Sequence, residues 1–308
     1  LGGNMLLKYL GERPHPLVET AVAVSVPFVL RDAMLRLGVT TVECKSGYGL
    51  DEANELKQLE VYRRLDLEHP VDLVPTFLGA HIIPPEHREH PDRYVRLLCG
   101  TLIPRVASLN LARFCDVFVE DGAYSVADAR RILGAAQDHG LGLKIHADQL
   151  SDGGGALLAA GFEAVSAEHL EYVSDDGVAA LAGSGTVAVS LPLASLYLGE
   201  RYLPARRLLD AGIPVAVATD FNPGSAPSYH LPLAMTLACI NQSMTPQEAL
   251  NGATSVAARA LARDDRIGSL LPGYRADFAI IDSPALNHWL YHFVPNACVA
   301  VFKNGTAC

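Results

Sequence analysis

The sequence predicts an α/β protein built as a (β/α)8 TIM-type barrel, with a small β appendage from the C-terminal tail. Short apolar runs alternate with helical patterns from about residue 19, which is typical of parallel βα units. The chain has 308 residues, half of them hydrophobic, which suits one large barrel better than several small domains. After residue 266 the pattern changes to short strands between turns.

The first predicted element is a helix over residues 19–37, which kinks at Pro27 and ends at Gly38. Seven apolar runs then predict barrel strands, because strands covered on both faces have no solvent side. In chain order they are residues 40–44, 71–78, 114–120, 143–147, 164–168, 187–191 and 215–219. Three further helices, two between these strands and one after the last, are predicted from N-cap signals at Ser125, Ser174 and Thr245.

A closed barrel needs eight strands, so the first strand would have to precede residue 19. Residues 1–18 contain no strand-like run, and the barrel is therefore predicted to lack its first strand. We predict two units: residues 1–265 form strands two to eight of the barrel, and residues 266–308 form the C-terminal β segment of a small composite sheet domain.

Composition narrows the class of function. The formal net charge of −10 offers no basic surface for nucleic acid or an anionic membrane, which favours a small-molecule partner. The longest apolar run, residues 21–30, is too short to cross a bilayer. The six cysteines are scattered without a C-x-x-C pair, which favours reduced thiols and a cytoplasmic location.

Polar residues stand where the apolar runs end, and in parallel barrels the active site gathers at those ends. A lone histidine there is more often a packed residue, but His81, His146 and His169 together with Asp220 indicate a metal-dependent hydrolase. Glu43 and Glu120 are either acid/base carboxylates or members of buried ion pairs, Glu43 with Lys45. The other polar residues at these ends are Lys45, Tyr48, Gln149, Asn222, Gly224 and Ser225.

Five motifs closely resemble the imidazolonepropionases, a family of the amidohydrolase superfamily. They are residues 43–50 (ECKSGYGL), 77–81 (FLGAH), 146–149 (HADQ), 168–171 (EHLE) and 219–225 (TDFNPGS). The resemblance extends in order from about residue 33 to 305. The KSGYGL and TDFNPG motifs are specific to this member of the superfamily.

The resemblance implies a metal-dependent amidohydrolase barrel that opens the cyclic amide of 4-imidazolone-5-propanoate to N-formimidoyl-L-glutamate in histidine degradation. It implies that His146 and Asp220 bind one divalent metal, zinc or iron(II), and that His169 is catalytic together with Asp220. It also implies a homodimer. The implied substrate-binding residues are Tyr48, His81, Gln149, Asn222, Gly224 and Ser225.

The chain departs from the family pattern at its start. The first barrel strand of the family carries a His-x-His pair and an upstream arginine holds the substrate, but the chain contains no His-x-His. The start at Leu1 favours a fragment of an active enzyme. The alternatives are a truncated, inactive amidohydrolase-like binding or scaffold protein, and a related cyclic-amide hydrolase or aminohydrolase.

Overall fold

A parallel seven-stranded sheet forms the centre of the protein in the computed structural model, which describes residues 32–292 and 296–308. Each strand pairs in parallel with the next one along the chain, in the order β1 to β7. The strands are β1 (Thr41–Lys45), β2 (Asp72–Ala80), β3 (Phe114–Val119), β4 (Gly142–Ala147), β5 (Ser166–His169), β6 (Val187–Ser190) and β7 (Val215–Val217). All seven predicted barrel strands are thus confirmed, with bounds that differ by up to two residues.

Helices connect consecutive strands and cover the sheet. They are α1 (Glu52–Glu68), α2 (Pro91–Leu97), α3 (Ile103–Ser108), α4 (Val126–Asp138), α5 (Gly155–Gly161), α6 (Asp175–Ser184), α7 (Pro192–Leu198), α8 (Ala205–Asp210), α9 (Leu231–Gln242), α10 (Pro246–Ala253) and α11 (Ser255–Ala260). The N-caps predicted at Ser125, Ser174 and Thr245 are confirmed, since each side chain accepts a backbone N–H bond at its helix start.

The start of the chain is described only in part. Residues 32–35 are helical, and a turn then leads to Gly38, whose φ of 88° is the left-handed geometry that glycine adopts without strain. The rest of the helix predicted over residues 19–37 and the predicted lack of a first strand fall on residues outside the described part. Within residues 32–292 and 296–308, the outer edges of β1 and β7 pair with no other strand.

The C-terminal tail forms the predicted small sheet. Strands β8 (Phe278–Ile281), β9 (Cys298–Lys303) and β10 (Thr306–Ala307) pair antiparallel, and the helix α12 (Leu286–Tyr291) lies between β8 and β9. The tail packs on the barrel, because Leu290 is buried in the main core and Lys303 Nζ lies 3.0 Å from Asp72 Oδ2 at the start of β2. The domain boundary at residue 266 stays a prediction. No helix in the described ranges has the length and apolar character that a bilayer crossing requires.

Candidate active site at the carboxyl ends of the strands

Five aromatic side chains follow one another across the carboxyl ends of β1 to β5. The ring centroids of Tyr48 and His81 are 5.6 Å apart, and those of His81 and Phe118 are 6.2 Å apart. The centroid of His146 lies 6.0 Å from that of Phe118 and 5.4 Å from that of His169. The fold therefore brings four of the predicted site residues into one contiguous group, with Phe118 between them.

Three polar residues where strands end have left-handed backbone geometry. Their φ angles are 50° for Asp148, 77° for His169 and 51° for Asp220. Such angles cost a non-glycine residue on the order of 1–3 kcal/mol, and they cluster at functional sites, where surrounding contacts hold them. The left-handed geometry thus accompanies the predicted site residues at the ends of β4, β5 and β7, and it also occurs at other turns, such as Asn110 and Ser243.

His146 lies against a buried ion-pair cluster. Its Nδ1 atom is 2.9 Å from Asp116 Oδ2, although the ring is not aligned for a hydrogen bond, and Lys45 Nζ is 2.6 Å from the same oxygen. Burial raises the pKa of the Asp116 carboxyl, but His146 and Lys45 together hold it well below its usual range. Because Nδ1 faces a carboxylate, Nε2 is the imidazole atom left to bind a metal.

The cluster extends into the barrel interior through Lys144, whose side chain is fully buried. Lys144 Nζ donates to Glu43 Oε2 at 3.0 Å, to Ser166 Oγ at 2.9 Å and to the Ala260 carbonyl at 2.9 Å. Burial raises the pKa of Glu43, but Lys144 and Lys45 lower it below its usual value. Glu43 thus belongs to a buried ion-pair cluster. Of the two roles that the sequence left open for Glu43, the structure shows the ion pair.

Three members of this region offer ligand atoms close enough for a metal. Atoms of Asp116, His146 and Glu168 lie within 4.8 Å of one another. However, Lys45 Nζ already lies 2.6 Å from Asp116 Oδ2 and 3.6 Å from Glu168 Oε1. Because Lys45 already pairs with Asp116, and the ammonium groups of Lys45 and Lys144 both lie near Glu168, we assign these carboxylates to the support of His146 rather than to a metal.

His169 is buried beside a second carboxylate. Its Nδ1 atom is 3.6 Å from Glu171 Oε2, and Ser195 donates to the other Glu171 oxygen at 3.4 Å. Burial alone lowers the pKa of His169, but Glu171 raises it, with Asp220 and Glu168 adding to the effect, so that the net pKa lies above its usual value. At any given pH the His169 ring is therefore protonated to a larger extent than a free histidine, as suits a group that donates a proton or a hydrogen bond.

Asp220 is held by the loop that follows it. Asn222 Nδ2 donates to Asp220 Oδ2 at 3.1 Å and to Ser225 Oγ at 2.8 Å. Asn222 Oδ1 accepts the backbone N–H groups of Gly224 at 2.8 Å and Ser225 at 2.7 Å. The Asn222 amide is thus engaged on both sides within the loop, so in this structure it orients Asp220.

Tyr48, His81 and Gln149 are the other predicted substrate residues outside the Asp220 loop. Tyr48 is 54% exposed, and partial burial and Asp220 together raise its pKa to about 12. His81 Nδ1 donates to the Gly47 carbonyl at 3.1 Å, which leaves Nε2 as an acceptor. Gln149 is half-buried after the turn at Asp148.

Two acidic residues near the site hold loops. Asp148 caps α5, since its carboxylate accepts the N–H groups of Gly153, Gly155 and Ala156 at 2.9 to 3.1 Å. Glu120 accepts the Leu150 N–H at 2.8 Å and also the Ser151 hydroxyl. Burial raises the pKa of Glu120, but hydrogen bonds from Ser151 and from backbone N–H groups lower it on balance. These hydrogen bonds account for the burial of Glu120, so neither of the two roles considered from the sequence, acid/base group or ion-pair member, is needed to explain it.

Sequence reasoning missed the supporting residues Asp116, Lys144, Glu55 and Glu171. A usable signal existed for the first two, because a charged residue inside a buried apolar strand must be paired. Asp116 and Lys144 are register partners on β3 and β4, and both are fully buried. Glu55 and Glu171 carry no such signal, since neither stands inside a predicted strand.

Comparison with known proteins identifies the family of the chain. A profile described as the Amidohydrolase family matches residues 118–308. The chain is 49% identical over 274 residues to the imidazolonepropionase of Geobacillus kaustophilus, covering 89% of this chain and 65% of that protein. It is 47% identical over 272 residues to the imidazolonepropionase of Fusobacterium nucleatum, covering 88% of this chain and 66% of that protein. The chain thus spans about two thirds of the length of these relatives, and the resemblance predicted from the motifs is confirmed.

Solved structures agree with the fold. An adenosine deaminase from Xanthomonas campestris with bound zinc superposes with a TM-score of 0.69 at 21% identity, covering 92% of this chain and 71% of that one. A guanine deaminase from C. acetobutylicum with bound guanine gives a TM-score of 0.72 at 14% identity, covering 92% and 75%. These similarities confirm the barrel fold class and, at such identities, nothing finer.

Proposed function

This chain belongs to the amidohydrolase family, and from that membership we propose that it hydrolyses the cyclic amide of 4-imidazolone-5-propanoate to N-formimidoyl-L-glutamate. The observation that carries the proposal is the contiguous group of Tyr48, His81, His146 and His169. Asp220 lies near enough to this group that its charge raises the pKa of Tyr48 and of His169. These are the side chains that the resemblance to imidazolonepropionases assigns to substrate, metal and catalysis. In the reaction, water adds its oxygen to the ring carbonyl carbon, the carbon–nitrogen bond breaks, and a proton passes to the departing nitrogen.

One divalent metal, zinc or iron(II), is part of the proposal. The donor set fits it, because His146 presents Nε2 while its Nδ1 faces Asp116, and Asp220 is a carboxylate held in place by Asn222 and Ser225. His146 and Asp220 would hold the ion. When bound, it supplies Lewis-acid polarisation and lowers the pKa of a coordinated water.

The chain's own residues account for proton movement and orientation. His169, with its pKa raised beside Glu171, donates a hydrogen bond to the carbonyl oxygen as negative charge develops there. Asp220 accepts a proton from the attacking water, and His169 delivers one to the ring nitrogen. Gln149 is an amide and cannot act as a base, so it contributes only hydrogen bonds to the substrate, as do Tyr48 and His81.

The test is the loss of imidazolone absorbance on incubation with the purified, metal-loaded, full-length protein. We expect hydrolysis of imidazolonepropanoate and no turnover of related cyclic amides at a comparable rate. Turnover of another cyclic amide alone would reassign the substrate. A metal-loaded protein that hydrolyses none of these compounds would favour the binding or scaffold alternative.

Replacing His146 with alanine should lower the metal content, because the change removes one of the two proposed ligands that this chain supplies. Loss of a residue that merely orients a metal ligand typically costs about 10- to 100-fold in metal affinity, and loss of the ligand itself should cost at least as much. Metal analysis after dialysis against a buffered metal solution measures this. His139→Ala, at the exposed end of α4, is the matched control. Equal metal content in both variants would remove His146 from the ligand set.

The proposal also includes the homodimer and the cytoplasmic location that the sequence suggested. Light scattering on the purified protein measures the oligomeric state. Metal analysis of the protein as isolated distinguishes zinc from iron, which both accept imidazole and carboxylate ligands.

A further inference from the structure

A buried glutamate from the next helix accepts hydrogen bonds from the loop that carries Tyr48. Glu55 lies in the first turn of α1, and its side chain is fully buried. Glu55 Oε1 accepts the N–H groups of Gly49 at 2.8 Å and Leu50 at 3.0 Å, and both Glu55 oxygens lie within 3.1 Å of the Gly47 nitrogen. One carboxylate thus accepts hydrogen bonds from backbone N–H groups on both sides of Tyr48.

The same loop is closed from its other side by the end of β2. Ser46 Oγ accepts the Leu78 N–H at 3.0 Å, and the Gly47 carbonyl accepts a bond from His81 at 3.1 Å. Gly47 has a φ of 101°, and a Cβ there would lie 2.6 Å from the Leu78 carbonyl oxygen. A Cβ on Gly49 would lie 2.7 Å from the Glu55 nitrogen. The backbone around Tyr48 has no room for larger residues at either glycine.

We propose that Glu55 is a positioning residue: it holds the loop of Tyr48 in the conformation in which Tyr48 contacts the substrate. Tyr48 itself is half-exposed, and its ring contact is with His81, so its own side chain has little to hold it. Without the carboxylate, three backbone N–H groups lose their acceptor, and the loop samples other conformations. Substrate binding must then supply the ordering, which weakens binding. This inference rests on the proposed function, because it takes Tyr48 to contact the substrate.

Glu55→Gln is the test variant, because glutamine keeps the volume but, in either orientation of its amide, sets an N–H group against at least one of these backbone donors. Glu60→Gln is the matched control, since Glu60 lies on the same helix in an exposed pair with Arg63. We expect Glu55→Gln to raise KM by about 10-fold or more with a smaller change in kcat, as expected when a binding-competent loop becomes a minor state. Glu55→Asp, which keeps the charge, should give an intermediate KM.

Two further readouts separate positioning from general damage. Amide hydrogen exchange at Gly47, Gly49 and Leu50 should speed up in Glu55→Gln and not in Glu60→Gln. In a Tyr48→Ala background, Glu55→Gln should raise KM no further, because both changes remove the same contact. If Glu55→Gln raised KM by the same factor in the Tyr48→Ala background as in the wild type, the inference would be overturned. Unchanged exchange at the three amides would overturn it as well.

The outcomes also separate this inference from the proposed function. A wild-type protein without imidazolone turnover overturns the proposed function, and with it the substrate role of Tyr48. Turnover by the wild type with KM unchanged in Glu55→Gln overturns the positioning role alone. A Glu55→Gln variant that fails to fold is replaced by Glu55→Asp, for which the same KM and exchange criteria decide.

Discussion

Replacing His169 with alanine is expected to reduce imidazolone turnover by about 10²- to 10⁴-fold, the usual contribution of a positioned acid/base group. His169 is buried at the end of β5 with Glu171 beside its Nδ1 atom, and its raised pKa favours the protonated form. Alanine removes the proton donor and the hydrogen bond to the developing oxyanion. Metal content should remain nearly unchanged, because His169 is not among the proposed ligands.

The measurement compares kcat/KM and metal content in the same preparations. His139→Ala serves again as the control, and Glu171→Gln is a second variant that tests the cause of the raised pKa. With Glu171 neutral, the His169 pKa should fall, so activity that depends on the protonated ring should decline at a lower pH than in the wild type. Full activity in His169→Ala would refute its catalytic role, and a parallel loss of metal would make it a ligand.

Replacing Lys144 with methionine is expected to lower the free energy of unfolding by about 3–5 kcal/mol, the cost of removing one partner from a buried ion pair. Methionine fills similar volume but supplies no charge. Among the residues that the structure describes, Glu43 then keeps Lys45 and the Thr76 hydroxyl as partners, and the Ala260 carbonyl loses its side-chain donor. The loss is large because Lys144 is fully buried, where water cannot replace the ammonium group.

Urea unfolding monitored by circular dichroism measures this effect, read as a shift in midpoint at constant slope. Arg63→Met is the matched control, because it breaks the exposed Arg63 pair with Glu60 and should cost about 0–1 kcal/mol. Equal stability losses in the two variants would mean that the cluster is not a desolvated ion-pair network. A Lys144→Met protein as stable as the wild type would contradict the prediction directly.

The barrel strands could be predicted because burial on both faces imposes a local rule. A run such as residues 187–190, Val-Ala-Val-Ser, is buried throughout, so almost every position must be apolar or internally paired. The bounds were less predictable. The last barrel strand was predicted to run to residue 219 but ends at Val217, shortly before the backbone turns into the left-handed geometry of Asp220.

The candidate site was predictable in part for a similar reason. Parallel strands bring their carboxyl ends to one edge, so polar residues that end separate runs must come together, as His81, His146 and His169 do. The roles of Asp116, Glu55 and Asn222 were not predictable. Asp116 acts on a histidine of the neighbouring strand, and Asn222, whose substrate binding stays a prediction, also holds Asp220 with its amide.

The sequence by itself determined the seven strands, the chemical character of the site and the family resemblance, because apolar periodicity and motif chemistry are properties of neighbouring residues. The tertiary structure decided which charges face one another. It placed Lys45 between Asp116 and Glu168, turned His146 Nδ1 toward a carboxylate, and set Glu55 under the Tyr48 loop. The physical reason is that ion pairing and hydrogen bonding depend on distances of about 3 Å between groups far apart in the chain, and only the packed barrel sets those distances.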